Sequence, residues 1–336
     1  MILAVKAVIA TSAAGQPAIA VVHPNSPWVT VYPWSAGFGT KYANPATLPG
    51  DTARGVRFTA AADALAVSHD GSPYLSVYAW NMGFGAKYAD PASLPSSDGY
   101  RVCFSPSDDT VAVSLDLTPF VAAYPWSAGF GTKYSNPATL PTGTGRGINF
   151  TGNGNQIAVA HSNSPYITTY PWSAGFGAKY ANPATLPAGI GLSTAFTTAS
   201  NAIAVSHTVS PFVSTYPWSP GFGAKYANPA TLPPSNGSDV TFNNADSAIA
   251  VAHVSSPYVS TYPWSAGFGA KYANPASLPA GTGRGVAFNT DDDAIAISHD
   301  TTPYISAYPW SAGFGAKYAD PATLPAGNGQ SVAFSS

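Results

Sequence analysis

The chain contains no glutamate, a single cysteine and only six histidines. Aspartate is therefore the one carboxylate side chain available for acid and base chemistry. Cys103 on its own excludes an internal disulfide and any zinc site built from cysteines. Charged residues make up 8% of the chain and the net charge is −2. No basic stripe marks a nucleic-acid surface. No apolar run approaches the roughly 20 residues of a membrane-crossing helix. The opening "MILAVKAVIATSAAG" is apolar and ends in small residues, but its lysine sits inside the apolar run, so the likeness to a signal peptide is partial. Low charge with abundant Gly and Pro suits a surface exposed outside cells or on a particle, and before assembly in the cytoplasm of the producing cell.

What is present is a repeat. The string "YPWSAGFGTKYANPATLP" occurs seven times with small changes, and its tryptophan falls at Trp34, Trp80, Trp126, Trp172, Trp218, Trp264 and Trp310, always 46 residues apart. A fixed period of this size marks units that bury their apolar faces only against one another. Tyr32, Trp34, Phe38, Tyr42 and Phe58 head columns filled in every copy, and a mixed column begins at Trp28. Only Tyr100 among the aromatics lies outside these columns. The tryptophan column reads as core packing.

Within each unit the hydrophobic period is two. In the second copy "GVRFT", "ALAVSH" and "PYLSVYAW" read as strands a, b and c, bounded by turn formers. "AKYADPASL" reads as an outer strand d, an edge because Pro91 cannot donate to a ladder. Four antiparallel strands per unit, seven units, no helical stripe: the expected fold is an all-β, seven-bladed β-propeller. A linear solenoid is the alternative. Residues 15 to 336 hold seven whole periods, beginning at strand b ("AIAVVH") and ending on strand a ("SVAFSS"). A ring joins the two, so the C-terminal strand is expected to complete the first blade. Residues 1–14 are expected to stand outside the repeat.

The strand alternation, "FSPSDDTVAVS" at Phe104 to Ser114 and the aromatic-x-Trp end of strand c resemble WD-repeat propellers, although no Asp follows the tryptophan. The string "YPWSAGFGTKYANPATLP" is similar to WD-repeat-like proteins of bacteriophages and prophages. That resemblance implies a virion or tail-associated component and brings no catalytic residue with it.

The c–d hairpin hardly changes between copies, whereas the a–b, b–c and d–a connections do. The b–c and d–a loops share one face of a propeller, and loops on a rigid scaffold carry binding. Candidate binding residues are Trp28, Arg54, Tyr100, Arg146 and Arg284, because arginine and aromatics anchor interfaces. All six histidines occupy one column, at His23, His69, His161, His207, His253 and His299, with Leu115 in the seventh place. Copies a blade apart are too distant for the ~2 Å bonds of one metal, so the column reads as structural hydrogen bonding. The lysine column from Lys41 reads as protection of the outer edge. Asp291, Asp292 and Asp293 read as a solvated turn rather than a calcium loop.

An enzyme needs a group that breaks the sevenfold pattern, and none stands out in the sequence. The expected function is a non-catalytic component of a phage particle that binds a protein or a cell-surface glycan, with no cofactor and no metal. The alternative is a propeller enzyme of the lactonase or glycosidase kind, with its site at the central channel.

Overall fold

The computed structural model describes residues 16–336. The expected N-terminal extension, residues 1–14, lies outside them. Seven antiparallel sheets follow one another around an axis, and each is a blade. The chain enters at Ala18–Val22 and Val29–Pro33, and its last strand, Ser331–Phe334, pairs with Ala18–Val22 in the register Ile19↔Phe334 to Val22↔Ser331. One blade thus joins both ends, as the fused repeat requires. The Ser335 hydroxyl accepts the Ala18 N–H at 2.8 Å and secures the join.

The blades meet through aromatic rings. Trp80 is 5% exposed and stands edge-to-face with Phe58 and Phe84 of its own blade and with Tyr42 of the blade before it. The same arrangement recurs around the ring and closes at Trp34 with Tyr318. Edge-to-face pairs contribute about 0.5–1.5 kcal/mol each beyond the area they bury, a reason for the same rings to fill these columns in every copy. The tyrosines of strand c are fully buried, and all but Tyr78 direct their hydroxyls to outer-segment carbonyls of the preceding blade, as from Tyr124 to Ser93 and, across the closure, Tyr32 to Thr323.

Strand d departs from expectation. Only the second blade has a regular fourth strand, Phe84–Lys87, paired through Tyr78↔Lys87 and Trp80↔Phe84. Elsewhere the outer segment keeps a single bridge, such as Trp34↔Phe38, and continues irregularly. The residue after the strand-c tyrosine is the reason. It is Ala79 in the second blade and proline in the other six. A ladder pair at Tyr78 requires a donor from the residue that follows, and proline has none.

Strand a, the innermost, carries an irregularity that matters for function. In six blades its pairing with strand b skips a register, for example between Ala53 and Gly55 and between Gly145 and Gly147. In the third blade the skip is longer, from Gly99 to Val102. Such bulges re-aim the extra side chain. The residues they release are Arg54, Tyr100 with Arg101, Arg146, Leu192, Ser238 and Arg284.

Candidate functional site

All five arginines of the chain, Arg54, Arg57, Arg101, Arg146 and Arg284, lie on innermost strands. Of the fifteen aspartates only Asp239 does. The arginines and Asp239, each a departure from the sevenfold pattern, are therefore gathered around the axis.

At one mouth the bulge residues form a cavity of 190 Å³. The Tyr100 ring is held between two guanidinium groups, Arg54 at 4.8 Å and Arg146 at 4.4 Å from its centroid. Arg54 makes a two-point ion pair with Asp70, at 2.5 and 2.7 Å, and this contact holds it protonated above its usual range. Arg284 reaches Asp300 once, at 3.3 Å. The sequence-predicted Arg54, Tyr100, Arg146 and Arg284 are thus brought together. Trp28 is not with them: it is half-buried, packed on the core between the first and second blades.

Arg101 closes the floor of this mouth. Its guanidinium donates to the carbonyl oxygens of Arg54 and, at 3.4 Å, of Arg284, and so spans the axis. Burial lowers its pKa, opposed by Asp239 and reinforced by the neighbouring Arg57, Arg54 and Arg284. Below Arg101 lies a second chamber of 190 Å³, edged by Arg57, Asn149, Ser193, Asp239, Thr241 and Ser331. The Asp239 carboxylate is fixed by backbone donors, Val240 N–H to Oδ1 at 3.0 Å and Val286 N–H of the next blade to Oδ2 at 3.1 Å. Each oxygen keeps a lone pair beyond those bonds. Arg57, exposed to the channel, has no hydrogen bond or ion pair among the described residues. The chamber shares Arg57, Asn149 and Thr241 with a vestibule of 390 Å³ that opens on the face of the a–b turns. With the mouth cavity it shares Arg101.

Other candidates resolve as framework. Every histidine is completely buried, its Nε2 facing a hydroxyl of strand c: Thr30 at 2.9 Å for His23, Thr168 at 2.8 Å for His161. The Nδ1 atoms of His23 and His253 meet carbonyl oxygens of the b–c loop. Burial drives five of the rings to a pKa of about 4. Cys103 lines the vestibule, and burial pushes its thiol up to about 12. No group of three or more metal-binding side chains occurs among the described residues.

The chamber residues Arg57, Arg101 and Asp239 are hidden in the sequence because their columns are otherwise Gly, Ser, Ala, Asn, Thr or Cys and lie within strands rather than in the variable loops. The usable signal was the confinement of every arginine to strand a.

No protein-family model matches the chain, and no curated protein matches it in sequence. Solved structures share the fold. A "putative 6-phosphogluconolactonase" of Bacteroides uniformis aligns with TM-score 0.70 over 95% of this chain and 99% of that one, at 11% identity. A second protein of that description, from Bacteroides fragilis, aligns with TM-score 0.70 over 97% and 99%, at 8% identity. A functionally unknown protein from Desulfotomaculum acetoxidans aligns with TM-score 0.68 over 95% and 98%, at 14% identity. Likeness at this identity shows the fold, a seven-bladed propeller.

The expectation of a non-catalytic phage-particle component, and of a chain that is no enzyme, is corrected. The neighbours with a functional description are lactonase-like propellers and point to no phage or WD-repeat origin. The reason given for excluding catalysis, a missing symmetry-breaking group, fails at Arg57, Arg101 and Asp239.

Proposed function

We propose that the protein hydrolyses a small anionic cyclic ester, a lactone of a sugar acid, in the axial chamber. The observation that carries this reading is the enclosure of one fixed carboxylate, Asp239, in the same cavity as the guanidinium groups of Arg57 and Arg101. Asp239 is the general base. It takes a proton from water as the water oxygen adds to the lactone carbonyl carbon. Arg101 donates to the oxyanion that forms, inside a cavity where such contacts are stronger than in bulk water. The ring C–O bond then breaks, and the alkoxide takes the proton back from Asp239 to leave an open hydroxy acid. Arg57, with no protein acceptor among the described residues, binds the anionic substituent of the substrate at the neck of the vestibule. The lactonase-like neighbours support the reading at the level of reaction class, and 6-phosphogluconolactone is the first substrate to try. The single carboxylate favours this over glycoside hydrolysis, which uses a pair.

The test is continuous titration of acid release from 6-phosphogluconolactone and from unphosphorylated gluconolactone, each against the spontaneous rate. Asp239→Asn is expected to lower kcat on the order of 10²-fold or more, and Arg57→Gln to raise KM. A rate no faster than buffer with both lactones, or an Asp239→Asn variant as fast as the parent, sinks the reading.

A further inference from the structure

The mouth cavity above Arg101 is not needed for the chemistry below it, yet it is built. Arg146 forms no hydrogen bond and no ion pair among the described residues, and its Nε is buried without an acceptor. The Nε of Arg284 is buried without an acceptor as well. A buried donor left unpaired is costly, and buried polar groups are normally satisfied. Of the nearby carboxylates, Asp70 is taken by Arg54, Asp98 accepts the Gly71 N–H at 3.4 Å, and Asp300 meets Arg284 at one contact only, which leaves the other Arg284 donors free. The Arg146 guanidinium carbon lies over the Tyr100 ring, 4.4 Å from its centroid, a contact that uses none of its N–H donors. Ser238 and Gln330 add neutral polar groups on the same ring.

From this geometry we propose that the mouth is a second site, separate from the chamber, that binds a phosphate group through Arg146 and Arg284. Guanidinium forks match tetrahedral oxyanions by paired N–H donors, whereas an ammonium offers only a point charge. Arg101 forms the floor and separates this anion from the chamber. A cavity of 190 Å³ admits one such group and not a polymer chain. The same chemistry is offered by free phosphate and by a phosphorylated small molecule.

Calorimetric titration of the full chain in a phosphate-free, low-salt buffer tests the site, with inorganic phosphate in one arm and glucose 6-phosphate in the other. Saturable binding that depends on Arg146 is expected in at least one arm. Comparable affinity in both identifies free phosphate as a sufficient ligand, and a clear preference for the sugar ester identifies an organic phosphate. Arg146→Gln is expected to weaken binding roughly tenfold or more. Gln is already accommodated in this column at Gln330, and the fold of the variant is verified by its unfolding temperature. Arg57→Gln, in the chamber, is expected to leave this affinity within about twofold, since distant sites act independently. That control separates the mouth from the proposed hydrolase: catalysis can fail while phosphate still binds, and the reverse. No binding in either arm overturns the proposal. So does an Arg146→Gln variant that binds as tightly as the parent, or a loss caused by Arg57→Gln instead.

Discussion

The Asp292 carboxylate accepts the backbone N–H of Asn244 at 2.7 Å and so ties the seventh blade to the sixth. Its second oxygen accepts the Ala245 N–H at 2.7 Å. Asp108 holds Ala60 and Ala61 in the same way, and Asp246 holds Thr198 and Ala199. In the fourth blade the column holds Gly154, and the facing position in the third blade is Pro106, which has no N–H to give. Acceptor and donor have been lost together. Of the three turn aspartates read from the sequence as solvated, Asp292 is therefore an inter-blade clasp, while Asp293 bonds Asn289 within its own turn.

Asp292→Ala is expected to destabilise the ring by about 1.5–3 kcal/mol, the range for hydrogen bonds to a charged group. Asp292→Asn should lose less, since asparagine tolerates the positive φ of 57° at this position and keeps one acceptor. Denaturant unfolding measures both. Equal stability of parent and Ala variant would show that the clasp carries no energetic weight.

Trp80→Ala removes a side chain packed by Tyr42, Phe58 and Phe84. The expected loss is about 3–5 kcal/mol. The effect should reach the first blade through Tyr42, so hydrogen exchange is expected to rise on both sides of that interface. A change confined to the second blade would show that the blades do not share this ring's packing.

His161 and Thr168 form a buried pair at 2.8 Å, and the third blade replaces both members at once, with Leu115 and Ala122. Removing one partner of a buried pair costs about 1–3 kcal/mol, while an apolar exchange of both is close to neutral. His161→Leu alone should therefore destabilise, and His161→Leu with Thr168→Ala should recover most of the loss at pH 7.5. A double variant no better than the single one refutes the pairing.

The same histidines make stability depend on pH. Burial lowers the folded-state pKa of His23, His161, His207, His253 and His299 to about 4, against 6.5 for an open ring. The unfolded chain then takes up protons first. The contribution is complete above pH 6.5 and is lost as pH falls from 6.5 toward about 4, by at most about 3 kcal/mol per ring. Unfolding midpoints measured from pH 7.5 to 5 should fall steadily, and the Leu–Ala double variant should show a shallower slope. A flat profile for the parent rules out neutral buried rings as the source of acid sensitivity.

The sequence alone determined the number of blades, the aromatic columns and the closure of the ring, because each blade meets the next through the same surface and identical packing demands identical residues at a fixed period. It also carried the structural meaning of the histidines, since six copies of one polar residue cannot converge on one atom. It could not show that the fourth strand is regular only beside Ala79, which depends on a donor facing a particular carbonyl. Nor could it show that Arg101 and Asp239, on the third and sixth blades, face one chamber with Arg57 of the second. Their meeting depends on how the bulged innermost strands aim side chains at a common axis. Curvature of the whole ring sets that axis, and no local pattern of residues encodes it.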